Sequence, residues 1–298
     1  MLKMTRNRHF LFAILNRDMK THTTQEMSAK YYQKIGSRIG YKFVMKKSQH
    51  FGYYDKLHTN EVDAQDKYHE NLNQLLRLES GMKVLDAGCG QGVVGCYLAQ
   101  ENEIQLKGIT ITPHEVTSAS KRAREYGVQN NTEFILADYA KIPFADNSFD
   151  RVYTTESLSH APDVNKVVSE FARVLKPGGI LVCAEYEMDH EHFNIEMARL
   201  AELIRKHAAI HGIYQFGKSQ FTETIRKNHF KIQKEYNWTK NTKPSFDRLR
   251  RLARPFAFVV KSLKLEKYFI NSVAAAMYSN GVEEGVFAYK VYVAEKAH

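Results

Sequence analysis

The chain has 298 residues, of which 43% are hydrophobic and 26% charged, proportions typical of a globular protein. No apolar run is long enough to span a bilayer, and the run "HFLFAIL" near the start is too short for a signal-peptide core. The three cysteines, Cys89, Cys96 and Cys183, are odd in number and match no zinc-binding spacing. This argues against a disulfide framework and favours a reducing, cytoplasmic location.

The net charge of +10 is concentrated in two segments. Residues 1–60 carry a net charge of +9 and residues 239–268 carry +7, so the rest of the chain sums to −6. Two basic segments on an acidic body favour an anionic partner, such as a phosphate-bearing substrate, lipid head groups or nucleic acid. The alternative is that these basic side chains are simply solvated.

Residues 26–47 and 61–78 have apolar residues at mixed helical spacing and are predicted to be helices. From residue 82 onward, short apolar strands alternate with helices, which predicts a parallel sheet covered on both faces. The predicted strands are 82–88, 104–112, 132–139, 149–157 and 180–188, and the helices between them are 92–102, 113–127 and 161–175. The "KPGG" sequence at 176–179 predicts a turn. Further along, 191–228 and 240–280 are predicted to be mainly helical, with late strands at 231–238 and 285–296.

Three glycines, Gly88, Gly90 and Gly92, follow the first predicted strand and would let a ligand approach the main chain closely. A dinucleotide-binding fingerprint would need its third glycine where this chain has Val93, and an acidic residue near Thr110. A P-loop would need Gly-Lys-Ser/Thr, which this loop lacks. Both phosphate-binding interpretations are therefore disfavoured.

Four segments of the chain resemble, in the same order, the motifs of class I S-adenosylmethionine-dependent methyltransferases. They are "DAGCGQG" at 86–92, "GITIT" at 108–112, "ADYAKIPFADNSFDRVYTTES" at 137–157 and "RVLKPGGILV" at 173–182. The resemblance is strongest over residues 82–184. It implies the cofactor S-adenosyl-L-methionine, no metal, and a cofactor site made of Tyr54, Asp86, Ala87, Gly88, Gly90, Gly92, Thr110, Ile111, Asp138, Tyr139 and Thr155.

The pattern and this resemblance together predict an α/β fold: a Rossmann-like, doubly wound, seven-stranded mixed sheet with an added helical cap. We expect four parts in chain order. They are an N-terminal helical cap with a basic segment (1–78), a cofactor-binding core (79–190), a helical lid interleaved with a late strand (191–280) and a C-terminal strand that completes the sheet (281–298).

The family pattern implies a role for each cofactor-site residue. Asp86 would support the glycine loop and help to hold the amino end of the cofactor, while Thr110 and Ile111 would contact its ribose. Most members have a carboxylate in the place of Thr110, and the sterol and cyclopropane-fatty-acid branches share the departure. Asp138 would accept a hydrogen bond from the adenine amino group, with Tyr139 beside the ring. The alternative for Asp138 is that it only caps a turn.

Two further motifs point to one branch of the family. The region "ESLSHAPD", which contains Glu156 and His160, resembles the "E-x-x-x-H-x-P-D" region of sterol C-methyltransferases, tocopherol methyltransferases and natural-product O-methyltransferases. The sequence "HFGYY" at 50–54 resembles the entrance motif of the same branch, in which an aromatic residue closes over the cofactor. The last strand also resembles, more loosely, that of terpenoid-diphosphate C-methyltransferases. This branch implies Glu156, His160 and Tyr53 as catalytic residues.

Two mechanisms suit this pair of side chains. In O-methylation, His160 would remove the hydroxyl proton of the acceptor. In C-methylation of an alkene, Glu156 and an aromatic face such as that of Tyr53 or Tyr54 would stabilise the carbocation. The alternatives are that His160 caps the following helix and that Glu156 only forms a wall of the cofactor pocket.

The segment that covers the sheet has a basic amphipathic pattern. Three interpretations remain open for it: a solvated lid, a peripheral membrane contact, or a pocket that grips a diphosphate. The pattern consists of the apolar residues Phe256, Phe258, Val259, Val260, Leu263 and Leu265 and the basic residues Arg248, Arg250, Arg251, Arg254, Lys261 and Lys264.

The sequence thus predicts an enzyme that transfers a methyl group to carbon or oxygen of a hydrophobic, anionic or neutral small molecule, such as a terpenoid, sterol, lipid or other natural product. Methylation of RNA or another nucleic acid is the alternative that the basic surface allows, although the chain has no RNA-binding or nucleobase-methylating motif. A binding module without catalysis is a third class. A homo-oligomer and a membrane-associated cytoplasmic location are both compatible with the sequence.

Overall fold

The computed structural model describes residues 46–207, 210–217, 219–263 and 280–297. The strands are β1 (Lys83–Ala87), β2 (Gln105–Thr110), β3 (Thr132–Leu136), β4 (Phe149–Thr155), β5 (Leu175–Met188), β6 (Phe230–Asn237) and β7 (Phe287–Lys296). The helices are α1 (Glu61–Leu76), α2 (Val93–Glu101), α3 (Pro113–Glu125), α4 (Val164–Val174), α5 (Ile195–His207), α6 (Gln220–Lys227) and α7 (Thr239–Ser262). Short 3-10 turns lie at Leu158–His160, His190–His192 and Ile213–Gln215.

The seven strands form one mixed sheet in the order β3-β2-β1-β4-β5-β7-β6. The strands β1 to β5 pair in parallel, and β7 runs antiparallel to both β5 and β6. The order reverses between β1 and β4, and in sheets of this kind ligands bind beyond the carboxyl ends of the strands at such a point. The predicted seven-stranded, doubly wound mixed sheet is confirmed.

The helix α4 shows why these segments fold as they do. Its buried side chains recur at helical spacing and face the sheet, and they are Val164, Val167, Val168, Phe171, Ala172 and Val174. The carboxylate of Asp163 accepts a hydrogen bond from the Lys166 N–H, 3.0 Å away, and so caps the first turn. Pro162 precedes this cap, so the predicted helix at 161–175 begins three residues late, at Val164.

The helix α1 brings the amino-terminal part of the described chain onto the sheet. Asn60 caps its first turn, and Tyr68, Leu72 and Leu76 are buried in the core beneath it. The helix ends at Leu76 rather than at residue 78, because Arg77 adopts a left-handed backbone conformation with φ of +48°.

The predicted turn at 176–179 lies inside a strand. Leu175 pairs with Phe149 and Ile180 pairs with Arg151, so four residues of β5 bulge out opposite a single residue of β4. Pro177 has no N–H to donate to the sheet, and Gly178 has φ of +73°, which explains why the ladder is interrupted here. The segment bends the chain as predicted, yet the strand starts five residues earlier than expected.

Two other predicted helices fall partly outside the described residues. Of the predicted helix 26–47, only residues 46 and 47 are described, and both lie in a turn. The predicted helical region 240–280 corresponds to α7, and residues 264–279 lie outside the described part of the chain. Within the described residues, no helix combines the length and the apolar character needed to cross a bilayer.

Replacing Phe171 with alanine should destabilise the protein by about 3–5 kcal/mol, because a fully buried aromatic side chain leaves a cavity against the sheet. Urea unfolding followed by the fluorescence of the single tryptophan, Trp238, measures this loss. The control Ser169→Ala, on the exposed face of the same helix, should change the free energy of unfolding by less than about 0.5 kcal/mol. Equal effects of the two substitutions would contradict the packing described for α4.

Candidate active site

The glycine loop after β1 lies directly against the turn that follows β4. Gly88 has φ of +89°, and a Cβ placed on it would lie 2.1 Å from the Ser157 hydroxyl oxygen. A side chain at position 88 would therefore be strained in its backbone and would also clash with Ser157. Gly90 lies under Gln49, since a Cβ there would be 2.5 Å from the amide oxygen of that side chain. The loop is thus enclosed from both sides.

Asp86, the last acidic residue before the loop, is buried at the end of β1. One of its carboxylate oxygens, Oδ2, is buried without a hydrogen-bond partner among the described residues. Burial raises the pKa of Asp86 to about 7, and the neighbouring Tyr153 hydroxyl acts in the opposite direction. A bound polar ligand or a water molecule would supply the hydrogen bond that this oxygen, near the carboxyl end of β1, lacks.

The end of β2 carries a carboxylate that sequence reasoning missed. The Thr110 hydroxyl donates a 2.7 Å hydrogen bond to Oε2 of Glu115, which is buried in the first turn of α3. Oε1 of the same carboxylate lies 4.0 Å from where a Cβ on Gly90 would be. Glu115 therefore places beside the glycine loop the negative charge that Thr110 itself lacks. The signal in the sequence was an acidic residue one helical turn beyond the strand.

Beyond β3, Asp138 caps a turn and Tyr139 crosses to the neighbouring loop. The Asp138 carboxylate accepts a hydrogen bond from the Ala140 N–H at 2.8 Å. The Tyr139 hydroxyl donates to the Ser157 carbonyl at 3.0 Å. The turn-capping alternative for Asp138 is therefore present in the structure, and its contact with a cofactor stays a prediction.

The remaining cofactor-site predictions lie at the same edge of the sheet. Ala87 is the last residue of β1, Thr155 is the last of β4, and Ile111 follows the end of β2 and is half-buried. The topology thus brings together side chains that come from the ends of β1, β2, β3 and β4. Their contacts with a cofactor stay predictions.

Glu156 occupies the centre of the candidate site. Its Oε1 accepts hydrogen bonds from the Phe51 N–H and the Tyr289 hydroxyl, both at 2.9 Å, and its Oε2 accepts one from the Tyr186 hydroxyl. Burial raises its pKa to about 7, while these three donors lower it. The backbone of Glu156 has φ of +50°, a conformation that non-glycine residues adopt at a cost and that clusters at functional sites.

The tyrosines around Glu156 were not predicted from the sequence. The Tyr289 hydroxyl also lies 3.0 Å from the Tyr68 hydroxyl, and the rings of Tyr186 and Tyr289 meet edge to face at 5.5 Å. Phe51 and Phe246 extend this aromatic wall, with ring centroids 4.1 Å apart. These side chains come from the segment before α1 and from α1, β5, α7 and β7, and therefore no local pattern could join them.

The segment 47–52 is held in place over the site by α1. The Gln65 side chain bonds to the main chain of Lys47, Ser48 and His50, and a Cβ on Gly52 would lie 2.6 Å from the Cβ of Ala64. Glycine at position 52 therefore allows the segment to pack closely on α1. This packing positions the Phe51 N–H for its hydrogen bond to Glu156.

Tyr53 and Tyr54 lie beyond the contacts of Glu156. The Tyr53 ring meets Trp238 edge to face at 5.0 Å, and the Tyr54 hydroxyl donates to Glu61 at 3.1 Å. The rings that the structure places against Glu156 are those of Tyr186 and Tyr289 instead. The proposed roles of Tyr53 in catalysis and of Tyr54 in cofactor binding stay predictions.

His160 ends the 3-10 turn after Glu156. Its backbone N–H donates a 3.1 Å hydrogen bond to the Ser157 carbonyl. The same turn is held by Glu185, a buried residue of β5 that sequence reasoning missed. Its carboxylate accepts a 2.6 Å hydrogen bond from the Leu158 N–H. An acidic residue within the apolar strand "ILVCAEYEM" was the available signal, because such a residue is buried only at a cost.

The basic amphipathic pattern from Arg248 to Lys261 lies on α7, which ends at Ser262. Val260 is buried against the core, whereas Phe258 and Leu263 are exposed by 77% and 62%. Lys264 and Leu265 lie outside the described residues, and the structure does not describe the side chains of Phe256 and Lys261. The three interpretations of this segment stay open.

Gly88→Ala should lower the free energy of unfolding by about 1–3 kcal/mol more than Gly81→Ala does. Both glycines have φ above +80°, but a Cβ on Gly81 would meet nothing within 4 Å, so only Gly88→Ala adds the clash with Ser157. The backbone strain that both variants share should cost about 1–2 kcal/mol. Equal losses in urea unfolding would show that the loop and the turn after β4 are not in contact.

The comparisons with known proteins agree with this geometry. A family model described as a methyltransferase domain matches residues 78–246. The chain is 37% identical over 138 residues to the methyltransferase GfsG of Streptomyces halstedii, covering 46% of this chain and 50% of that protein. It is 30% identical over 199 residues to 24-methylenesterol C-methyltransferase 3 of Arabidopsis thaliana, covering 64% of this chain and 54% of that protein. The chain thus spans about half the length of these relatives.

Among solved structures, the cyclase SpnF is similar with a TM-score of 0.73 and 23% identity, covering 92% of this chain and 96% of that one. At this level of identity the likeness shows the fold alone, and a shared fold does not establish a shared reaction. The family is established by the match of the family model, which spans the glycine loop, the turn after β4 and the strand β5. The chain belongs to the methyltransferase domain family.

Proposed function

We propose that the protein is an S-adenosyl-L-methionine-dependent methyltransferase that transfers a methyl group to a carbon atom of an apolar small molecule. The observation that carries this proposal is the position of Glu156. Its carboxylate, surrounded by tyrosines, lies at the carboxyl ends of the strands next to the glycine loop. Membership of the methyltransferase domain family supports the reaction class.

The described residues suit the proposed donor. The donor carries a positive charge on sulfur and no phosphate, and it supplies an electrophilic methyl group when bound. Asp86 offers an unsatisfied buried oxygen for its amino end. Glu115 places a carboxylate beside the loop, where it would accept hydrogen bonds from the ribose hydroxyls. The residues present therefore fit this cofactor.

Carbon is favoured over oxygen as the acceptor atom by the electrostatics of the site. Attack of an alkene on the methyl group leaves a carbocation, which a carboxylate and the faces of aromatic rings stabilise. Glu156 supplies the negative charge above its pKa of about 7, and Tyr186 and Tyr289 supply rings next to it. O-methylation with His160 as the general base is the second candidate, because His160 ends the 3-10 turn that follows Glu156.

The acceptor is proposed to be an isoprenoid-like or sterol-like molecule. The aromatic wall of Phe51, Tyr186, Phe246 and Tyr289 suits an apolar substrate that must be held away from water. The similarity to a 24-methylenesterol C-methyltransferase supports the same class. Incubating the protein with donor labelled in its methyl carbon and a panel of sterols and isoprenoid alcohols tests the proposal. A labelled methyl group bonded to oxygen would overturn the choice of carbon.

One prediction from the proposed function concerns the binding of S-adenosyl-L-methionine. Glu115→Ala should weaken binding of S-adenosyl-L-methionine about tenfold or more in calorimetry, since hydrogen bonds to a charged group contribute about 1.5–3 kcal/mol. Glu125→Ala provides a matched control, because Glu125 is an exposed acidic residue at the other end of the same helix. An equal effect of both substitutions would remove Glu115 from the cofactor site. Absence of donor binding by the unmodified protein would refute the proposed function.

A separate prediction distinguishes C-methylation, which depends on Glu156, from O-methylation, which depends on His160. Glu156→Gln keeps an acceptor for the Phe51 N–H but removes the charge, and should lower turnover about 100-fold or more while donor affinity changes less. Turnover of the unmodified enzyme should rise with pH through about 7, since the ionised carboxylate is the active form, and the variant should lack this rise. A larger loss of turnover in His160→Ala than in Glu156→Gln would favour O-methylation.

A further inference from the structure

Glu185 is a fully buried acidic residue of β5 that the mechanism above does not use. One of its carboxylate oxygens accepts hydrogen bonds from the N–H groups of Leu158 (2.6 Å) and Ser159 (3.3 Å). These N–H groups open the 3-10 turn that ends at His160, and the first N–H groups of a helical turn have no partner within it. Glu185 therefore caps the turn that carries His160 and begins two residues after Glu156.

Capping alone does not require a charged side chain. The amide oxygen of a glutamine would accept the same two hydrogen bonds, and burying an amide costs less than burying a carboxylate. The presence of an ionisable group at position 185 therefore needs a second explanation, which its other neighbour supplies.

That neighbour is Glu156. The Glu156 N–H donates a 2.9 Å hydrogen bond to the carbonyl of Ala184, so Glu156, just after β4, lies beside Glu185, which is three residues before the end of β5. The glycine loop reaches the same place, because Gly88 packs against Ser157, the residue after Glu156. Two carboxyl groups from adjacent strands thus flank the edge of the sheet at which the donor is proposed to bind.

Resting on the proposed methyltransferase function, we propose that Glu185 is a specificity-determining residue. Together with Glu156 it supplies the negative charge by which the site distinguishes the sulfonium donor from the product, whose sulfur is uncharged. During transfer the bond between sulfur and the methyl carbon breaks and its electron pair stays on sulfur. An electron pair of the acceptor forms the new bond to the methyl carbon. Sulfur thereby loses its positive charge, so the carboxylates that attract this sulfur in the donor no longer attract it in the product.

The charge of this pair depends on pH. Burial raises the pKa of Glu156 to about 7, and burial together with repulsion from Glu156 raises the pKa of Glu185 to about 8. As pH rises, Glu156 therefore ionises first and Glu185 second. Apart from the backbone donors, the side chains that interact with Glu185 include Glu156, Tyr68, Tyr139 and Cys183. Those that interact with Glu156 include Tyr68, Tyr186, Tyr289 and Glu61. None of these named side chains is cationic.

Calorimetry with S-adenosyl-L-methionine and S-adenosyl-L-homocysteine from about pH 6 to about pH 9 tests the proposal. In the unmodified protein, the ratio of donor affinity to product affinity should rise through about pH 7 and again through about pH 8. Each rise should be at least about tenfold, since one added charge within about 8 Å of the sulfonium contributes more than about 1.4 kcal/mol at an effective dielectric constant of about 20. Glu185→Gln should abolish the second rise. An undiminished second rise in this variant would overturn the proposal.

Glu156→Gln provides an independent measurement, which decides the question if Glu185→Gln does not fold. It should remove the first rise and move the second below pH 8, because the repulsion that raises the pKa of Glu185 is gone. A second rise that stays at pH 8 in this variant would contradict the electrostatic coupling between Glu156 and Glu185 on which the proposal depends. The control Glu133→Gln, an exposed carboxylate on β3 that pairs with Lys107, should leave both rises unchanged. Failure of the unmodified protein to bind the donor at all would instead refute the proposed function.

Discussion

The buried carboxylate of Glu156 is the constraint on which the rest of the site depends. It accepts hydrogen bonds from Phe51, Tyr186 and Tyr289, which come from the segment before α1, from β5 and from β7. A carboxylate removed from water is costly unless such donors surround it. The three segments are therefore held in one arrangement because each supplies a donor that the others cannot replace, and the left-handed backbone of Glu156 is maintained by the same arrangement.

The topology of the sheet explains how these donors meet. The strand β7 inserts antiparallel between β5 and β6, so Tyr289 pairs with Tyr186 in register across the two strands. A parallel strand in this place would have put its carboxyl end, rather than the residues near its start, at this edge of the sheet. The late antiparallel strand thus completes the sheet and also adds a phenol to the site. In the same way, α1 stabilises the core and positions the segment that supplies the Phe51 N–H.

Local sequence determines some of these features and leaves others out of reach. The alternation of strands and helices and the glycines after β1 are local patterns, so the sheet and the position of the site at its carboxyl edge could be predicted. Glu156 and His160 could be chosen because they follow a predicted strand directly. Tyr186 and Tyr289 could not, since each matters through partners more than 25 residues away. Glu185 could be singled out as an acidic residue in an apolar strand, but its role depends on a partner 27 residues away. The turn predicted at 176–179 became a bulge inside β5 because Leu175 pairs with Phe149 before it, which is again a distant contact.

The distribution of charge separates the site from the surface of the molecule. The chain as a whole carries a net charge of +10, yet the side chains gathered at the carboxyl edge include four carboxyl groups. They belong to Asp86, Glu115, Glu156 and Glu185, and within the described part of the chain no lysine or arginine forms an ion pair with any of them. A cation that enters this edge, whether a sulfonium or a carbocation, would therefore meet carboxyl groups without a basic partner, and it would favour their ionised forms because charge interactions are strong in surroundings of low dielectric constant.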